Sequence, residues 1–390
     1  MSADEFRGNW SFPTQMRFGV GRIAELARAC KSVGMSRPLL VTDPGVAKLP
    51  MVQAAVTANE ADGLPTAVFS DIKPNPVGQN VEDGLAVYRA GKHDGVIAFG
   101  GGSALDAAKI IAFMAGQKRS VWEFEDRGDN WKAADPNGIA PIVAVPTTAG
   151  TGSEVGRAGV IVDETTHTKK IIFHPKMLPA IVISDPELTV GLPPHITAAT
   201  GMDALAHCLE AYCAPGFHPM AEGIGVEGMR LVKNWLPTAV SDGKNLEARA
   251  AMLAAASMGA TAFQKGLGAI HALSHPVGAV YDTHHGLTNA VVMPYVLAFN
   301  RTAIEGKLTR LAAWLDMENP GFDAVMNWVL KLRKEIDIPH TLADLGVGTE
   351  RLDELSKMAA EDPTASGNPI PVGATELKTM FVAAIEGKLS

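Results

Sequence analysis

The sequence has little of what marks a secreted or a membrane protein. Its 390 residues include only three cysteines, Cys30, Cys208 and Cys213. This odd and sparse set predicts a reducing, cytoplasmic setting without a disulfide framework, with Cys208 acting as a small buried hydrophobe. No run of about 18 or more apolar residues occurs, so we expect no membrane-spanning helix. The first residues, MSADEFRGNWSFP, lack a basic segment followed by an apolar one, and we therefore expect no secretory signal.

Positive charge is also scarce. The chain has 34 Lys and Arg against 42 Asp and Glu, a net charge of −8. Such a balance argues against nucleic acid or an acidic membrane surface as the main binding partner. The hydrophobic content of 47% is ordinary for a globular protein. A chain of this length exceeds what one core usually serves, so two domains are expected.

The first half of the chain alternates short apolar runs with helical patterns. This alternation predicts an α/β domain with a parallel, Rossmann-like sheet buried on both faces. Beyond the Pro-rich segment 184–194, the sequence becomes rich in Ala and Met with helical periodicity. We therefore expect an α/β domain over residues 1–190 and an all-α domain over 191–390. The predicted strands are PLLVTD (38–43), PTAVFSD (65–71), DGVIAFG (94–100) and APIVAVP (140–146), with helices around Val81–Ala90 and Ala104–Ala115.

Side chains that suit a metal are concentrated in the second half. Asp203 and His207 are four residues apart, as are His271 and His275, and His285 follows shortly afterwards. Residues four apart on a helix share one face. One carboxylate and several imidazoles suit a divalent transition metal such as Fe²⁺ or Zn²⁺. Each pair alone is equally consistent with a hydrogen-bonded polar group, but the five candidates together favour a metal site.

Two glycine-rich loops follow predicted strands. The run FGGGS (99–103) opens a helix, whose free N–H groups could bind a pyrophosphate, although a tight structural turn would look the same. Asp106 in that helix could be structural. The second loop, PTTAGTGSE (146–154), offers hydroxyl groups, and open α/β sheets bind nucleotides at the carboxyl ends of their strands. Asp43, in VTDPG, could hold ribose hydroxyls and favour NAD, or could be a turn residue before Pro44.

Taken together, these motifs resemble the iron-containing (group III) alcohol dehydrogenases over nearly the whole chain. The shared motifs are VTDPG, KPNP, GGGSALDAAK, PTTAGTGSE, SDPELT, GMDALAHCLEAY, HALSHPVGA and the His-Gly turn at 285–286. The resemblance implies a nucleotide-binding α/β domain and a helical domain in a dehydroquinate synthase-like architecture. It also implies a metal-dependent, NAD-dependent enzyme that interconverts a primary alcohol and its aldehyde, and a homodimer.

The resemblance also assigns residue roles. It makes Asp203, His207, His271 and His285 the metal ligands, and His275 a histidine beside the metal that either carries a proton or holds a neighbour by hydrogen bonding. His284 receives no role. The implied cofactor contacts are Asp43, Gly101, Gly102, Ser103, Thr147, Thr148 and Lys169.

Two positions depart from the pattern of this family. Arg157 stands where an uncharged residue is usual, and Gln264 and Lys265 replace an Asn and a small residue. Both stretches are expected to border the substrate pocket, where added cations could select an acidic substrate such as a hydroxy acid, a semialdehyde or a phosphonate. Surface placement or an interdomain salt bridge is the alternative.

Two other functions remain open at this stage. A metal- and NAD-dependent lyase of the dehydroquinate synthase type, or a hydrolase, could use the same ligand cluster. A non-catalytic nucleotide-binding module would not need a complete ligand set. The DALAH and HALSH motifs favour the dehydrogenase.

Overall fold

The computed structural model describes residues 14–166 and 168–389, which form two compact units. The first comprises residues 14–148 and Gly152–Gly191, and the second comprises Ala149–Thr151 and residues 192–389. Ala149–Thr151 belong to the glycine-rich loop after the fifth strand and pack with the helical unit, where Gly150 lies against Thr200. No helix among the described residues is both long enough and apolar enough to cross a membrane.

The first unit is built on a six-stranded parallel sheet in the order β1-β8-β5-β4-β2-β3, with an antiparallel hairpin of β6 and β7. Strands β2, β4 and β5 are buried along their whole length, because helices cover both faces of the sheet. The strands are β1 Gln15–Phe18, β2 Pro38–Val41, β3 Ala67–Phe69, β4 Gly95–Gly100, β5 Ile142–Pro146, β6 Ala158–Asp163, β7 Thr168–Phe173 and β8 Ile181–Ser184. The helices are α1 Leu26–Ser32, α2 Pro50–Ala61, α3 Gly78–Ala90 and α4 Gly102–Met114.

The described part of the second unit is helical. Its first helix, α5, is buried from Thr197 to Cys213 and forms the centre of a large apolar cluster. The helices are α5 Pro194–Cys213, α6 Pro219–Ser241, α7 Leu246–Ala262, α8 Ala269–Tyr281, α9 His285–Trp314, α10 Phe322–Glu335, α11 Leu352–Glu361 and α12 Ala374–Glu386. The predicted fold class, a parallel α/β domain followed by an all-α domain, is confirmed, as are the four predicted strands.

Small residues let the helices approach α5 closely. Gly228 of α6 lies against the Cys208 thiol, and Gly259 of α7 lies against the Cβ of His207. Cys208 is fully buried, and burial raises the pKa of its thiol to about 12. This confirms the expectation that Cys208 is a small buried hydrophobe. All three cysteines lie within the described residues, and each is a buried free thiol.

Gly286 brings α9 against α5 next to the candidate ligands. A Cβ at this position would overlap the carbonyl oxygen of Ala199 and come within 3.0 Å of the Cβ of Asp203. Gly306 lies on the exposed side of the same helix with nothing within 4 Å of a built Cβ. Replacing each glycine with alanine therefore distinguishes the effect of close packing, at Gly286, from the effect of helix propensity, at Gly306.

We expect Gly286→Ala to lower the unfolding temperature, because overpacking typically costs about 1–3 kcal/mol. Gly306→Ala should raise it slightly, since Ala is favoured over Gly within a helix by up to about 1 kcal/mol. Thermal unfolding followed by circular dichroism of the two metal-free variants tests this. Equal shifts of the same sign would contradict the proposed packing role of Gly286.

Candidate functional site

The helical unit gathers three imidazole side chains around one carboxylate oxygen. Asp203 Oδ1 lies 3.9 Å from His207 Nε2, 3.9 Å from His271 Nε2 and 3.7 Å from His285 Nε2. Ligand atoms of Asp203, His207 and His271 all lie within 4.8 Å of one another. These distances bring together the four residues that the family resemblance assigns to a metal.

Three helices carry this cluster. Asp203 and His207 are one turn apart on the buried helix α5, while His271 is in the first turn of α8 and His285 is the first residue of α9. The side chains of Asp203, His207 and His271 are almost fully buried, whereas that of His285 is 25% exposed. The His285 side of the cluster is therefore the side that solvent reaches.

Glu210 of α5 fixes the orientation of His271. The imidazole Nδ1–H donates to Glu210 Oε2 at 2.5 Å, and the backbone N–H of Ile270 donates to Glu210 Oε1 at 2.7 Å. With its proton held at Nδ1, His271 presents the lone pair of Nε2 to Asp203. A carboxylate behind a histidine in this way is a common means of orienting a metal ligand.

Ser274 contacts the back of His285 in a similar way, with its hydroxyl oxygen 3.2 Å from Nδ1. Asn289, one turn into α9, brings its side-chain nitrogen to 2.8 Å from Asp203 Oδ1 and to 3.2 Å from Nε2 of both His271 and His285. Sequence analysis missed Glu210 and Asn289. Their spacing, three residues after His207 and four after His285, puts each on the same helix face as a predicted ligand and could have identified them.

Burial and neighbouring charge act in opposite directions on the imidazoles. Burial lowers the pKa of His207 to about 4, so its ring is neutral and able to bind a metal at neutral pH. Burial also disfavours the charged form of His271, but the carboxylates of Glu210 and Asp203 outweigh it and raise the His271 pKa. A buried carboxylate facing neutral imidazole nitrogens is a donor set that fits a divalent transition metal.

His275 lies beside the cluster but has a different partner. Its Nδ1 is 2.7 Å from Asp362 Oδ2, and its ring stacks on that of His285 with centroids 5.2 Å apart. Burial disfavours ionisation of Asp362, but His275 and the hydrogen bonds from Thr364 lower its pKa. Asp362 therefore holds the His275 ring as a charged acceptor. No local sequence signal points to Asp362, which is 87 residues away.

The segment that contains Asp362 also supports α8. Gly268 precedes this helix and has no side chain to cap it, and Asn368 Oδ1 instead accepts the backbone N–H of Ala269 at 3.2 Å. Asn368 is in turn joined to Asn300 of α9 by two side-chain hydrogen bonds of 2.8 and 2.9 Å. The first turn of α8, which carries His271, is thus held by residues from α5 and from the C-terminal segment.

The predicted nucleotide loops meet at the carboxyl edge of the sheet in the first unit. Strands β5, β4 and β2 are neighbours in that order, so Thr147, Gly100 and Asp43 lie side by side at their ends. The backbone N–H of Thr147 donates to the carbonyl of Gly100 at 2.9 Å. A Cβ on Gly101 would come within 3.2 Å of Thr148. The two loops are therefore in direct contact.

The first loop leaves a helix N-terminus available to an anion. Helix α4 begins at Gly102, and no side chain caps it. The Ser103 hydroxyl donates to the carbonyl of Pro74, in the KPNP motif. The N–H groups at this end fit a phosphate, since the helix dipole and its unpaired donors both favour an anion there.

Two residues of this region have structural contacts. Asp43 Oδ1 accepts the N–H groups of Gly45 and Val46, both at 2.9 Å, while Oδ2 faces Gly100. Asp43 is thus a turn residue whose second oxygen lies at the glycine loop. Asp106 accepts the Ser153 hydroxyl at 2.5 Å and the N–H of Val160 at 3.0 Å, so it ties the second loop to α4.

The remaining candidates lie in different surroundings. Lys169 is in β7 opposite Val162, whose N–H donates to the carbonyl of Pro76. The Arg157 guanidinium lies over the Phe173 ring at 5.5 Å, and its charge acts on the Asp126 carboxyl, whose pKa is nevertheless raised by burial. The Lys265 ammonium donates to Glu222 Oε1 at 2.6 Å, and its side chain is 2% exposed.

Lys265 is therefore engaged within the helical unit. It also donates to the carbonyl of Tyr212 at the end of α5, and Lys307 shares the same Glu222 oxygen at 3.3 Å. Burial lowers the pKa of Lys265 to about 8. The cation expected at position 265 is thus paired with Glu222. Arg157 is therefore the stronger candidate for a charged group in the substrate pocket.

Comparisons with known proteins agree with this assembly of motifs. Residues 13–186 match the family model of iron-containing alcohol dehydrogenases, and residues 197–385 match that of the C-terminal domain of the same family. A 4-hydroxybutyrate dehydrogenase of Cupriavidus necator is 38% identical over 94% of this chain and 97% of its own.

Solved structures give the same result. A 1,3-propanediol oxidoreductase superposes with a TM-score of 0.92 at 34% identity, covering 97% of this chain and 100% of its own. A sulfoacetaldehyde reductase of Bifidobacterium kashiwanohense, solved with NAD⁺, has a TM-score of 0.88 at 30% identity and covers 97% of this chain and 98% of its own. The chain belongs to the iron-containing alcohol dehydrogenase family.

Proposed function

We propose that this protein is an NAD(H)-dependent, metal-dependent oxidoreductase that interconverts a primary alcohol and its aldehyde by hydride transfer. The observation that carries the proposal is the convergence of three imidazole Nε2 atoms on Asp203 Oδ1. Family membership supports oxidoreduction of alcohols over the lyase chemistry of dehydroquinate synthase-like enzymes.

The metal ligands in this proposal are Asp203, His207, His271 and His285, with Fe²⁺ as the expected ion and Zn²⁺ as the alternative. A bound divalent ion would supply Lewis-acid polarisation of the substrate oxygen. Glu210 keeps the His271 lone pair directed at the site, and the burial of His207 keeps its nitrogen unprotonated. The partly exposed side at His285 is where a substrate oxygen could approach.

The nucleotide is expected to bind the two loops at the sheet edge. The uncapped N-terminus of α4 suits a pyrophosphate, and the free oxygen of Asp43 suits ribose hydroxyls. A carboxylate at the ribose repels a 2′-phosphate, so NAD is favoured over NADP. The proposed cofactor residues are Asp43, Gly101, Gly102, Ser103, Thr147, Thr148 and Lys169.

His275 is the proposed proton carrier. Its Nδ1 faces Asp362, which leaves Nε2 to take up or release the proton of the substrate hydroxyl. The stacking of His275 on His285 places it next to the exposed side of the cluster.

Two further expectations accompany the proposed activity. A homodimer is expected from the family resemblance, and a cytoplasmic location is expected from the sparse cysteines. The mass of the purified protein in light scattering tests the first, and cell fractionation tests the second.

The first experiment measures NADH oxidation with short aldehydes, using metal-stripped protein reconstituted separately with Fe²⁺ and Zn²⁺. We expect NADH loss only after metal is restored, and none with Asp203→Ala, because that variant lacks the carboxylate at the centre of the cluster. NADPH should serve poorly. Equal turnover by the metal-stripped protein, or by Asp203→Ala, would contradict a metal-dependent dehydrogenase.

Glu210→Gln should weaken metal binding by about 10–100-fold, since the loss of such an orienting carboxylate typically has that effect. The measurement is Zn²⁺ affinity in competition with a chromogenic chelator. Glu247→Gln is the matched control, because Glu247 is an exposed glutamate in the first turn of α7. An unchanged affinity in Glu210→Gln would show that His271 needs no support from Glu210.

An acidic substrate is the favoured class. Two relatives are named for acting on anionic compounds, 4-hydroxybutyrate and sulfoacetaldehyde. Arg157 is the candidate for recognising the anion, because its guanidinium lies over the Phe173 ring, whereas Lys265 is held by Glu222.

We expect Arg157→Ala to reduce kcat/KM for succinic semialdehyde at least about tenfold more than for butyraldehyde, since a charge-assisted hydrogen bond contributes about 1.5–3 kcal/mol. Lys265→Ala should change both substrates alike. Steady-state kinetics with the two aldehydes decides the question. If Arg157→Ala reduced kcat/KM equally for both substrates, Arg157 would have no part in selectivity.

A further inference from the structure

Asn289 is the remaining polar side chain at the candidate metal cluster. It is fully buried, and its Nδ2 lies 2.8 Å from Asp203 Oδ1 and 3.2 Å from Nε2 of His271 and of His285. An amide nitrogen carries two hydrogens, so three acceptors are more than it can bond at once. The position of the Asn289 amide is therefore determined by Asp203, His271 and His285 together.

The chemistry of the neighbours fixes which end of the amide faces inward. Asp203 Oδ1, the nearest neighbour of the amide, is a carboxylate oxygen and therefore an acceptor. Only the nitrogen end of the amide can donate to such a group. The oxygen end then points away and has no hydrogen-bond partner among the described residues.

This arrangement disfavours folding, because a buried unpaired carbonyl loses its bonds to water without replacement. A leucine of similar size would avoid that loss. Position 289 thus carries a residue whose amide nitrogen donates to Asp203, although its amide oxygen has no hydrogen-bond partner among the described residues. Such a trade between stability and site geometry is typical of functional positions.

We propose that Asn289 is a positioning residue of the metal site, which holds the Asp203 carboxylate by donating to Oδ1. This inference rests on the proposed metal site. A divalent ion held by Asp203 and the three histidines would occupy the imidazole lone pairs, and Asp203 Oδ1 would remain the acceptor for the amide. This hydrogen bond then keeps that carboxylate in the rotamer that faces the three histidines.

The test compares Asn289→Leu with Thr288→Val, each prepared as full-length, metal-stripped protein. Thr288 is the matched control because it is buried beside Asn289 and its hydroxyl bonds to Thr283 and the carbonyl of His284, away from the ligands. Two quantities are measured: the Co²⁺ affinity with its visible absorption spectrum, and the unfolding temperature of the metal-free protein.

We expect Asn289→Leu to bind Co²⁺ about 10–100-fold more weakly than wild type, as is typical when a group supporting a ligand is lost. Its Co²⁺ spectrum should change, and its metal-free unfolding temperature should stay close to that of wild type, because loss of the bond to Asp203 offsets removal of the unpaired carbonyl. Thr288→Val should retain the affinity and spectrum of wild type. An unchanged or tighter affinity in Asn289→Leu, or a fall in affinity parallel to a fall in unfolding temperature, would overturn the proposal.

Failure of the metal site itself would look different. If wild type and Thr288→Val bound no Co²⁺, or if Asp203→Ala bound it as tightly as wild type, the proposed metal site would be contradicted. The proposed role of Asn289 would then be contradicted as well. If Co²⁺ binding is weak in Asn289→Leu alone and normal in wild type and Thr288→Val, the result supports both the metal site and the positioning role of Asn289.

Discussion

The buried negative charge around Asp203 is the constraint on which the helical unit depends. A carboxylate removed from water is unfavourable unless other groups replace its hydration. Here the Asn289 amide donates to Asp203 Oδ1, and three imidazole Nε2 atoms carried by α5, α8 and α9 lie 3.7–3.9 Å from the same oxygen. These helices must approach closely for the side chains to meet, and small residues such as Gly259 and Gly286 allow that approach.

Charge balance explains why the cluster suits a cation. Asp203 and Glu210 are two buried carboxylates, and the imidazoles around them are uncharged in their ligand form. Without a cation, the carboxylates of Glu210 and Asp203 favour protonation of His271 and raise its pKa although burial opposes this, whereas burial lowers the pKa of His207 to about 4. A divalent ion bound by the cluster would supply the missing positive charge directly.

The sequence predicted the elements that have strong local signals. Continuous apolar runs identified four of the six strands of the sheet, and the i, i+4 pairs placed Asp203 with His207 and His271 with His275 on common helix faces. The sequence analysis did not predict the edge strand β1 or the hairpin of β6 and β7, which are short or half exposed, and it also missed the short buried strand β8, which directly precedes the Pro-rich segment. The roles of Asp362 and Asn368 were not predicted, because the residues that they contact are about 90 or more positions away in the chain. Sequence spacing carries no information at that range. The sequence position of Lys265 could not show whether its charge is paired, since its partner Glu222 lies on another helix.

The capping of α8 has a consequence for how the protein is made. The N-terminal turn of this helix has no cap of its own and depends on Glu210 and Asn368 for acceptors. Because the chain is synthesised from its N-terminus, Asn368 leaves the ribosome after every candidate ligand has been exposed. The sheet unit ends at Gly191 and can form earlier. The candidate cluster of histidines therefore reaches its final geometry only after Asn368 has emerged, at a later stage of synthesis than the sheet unit requires.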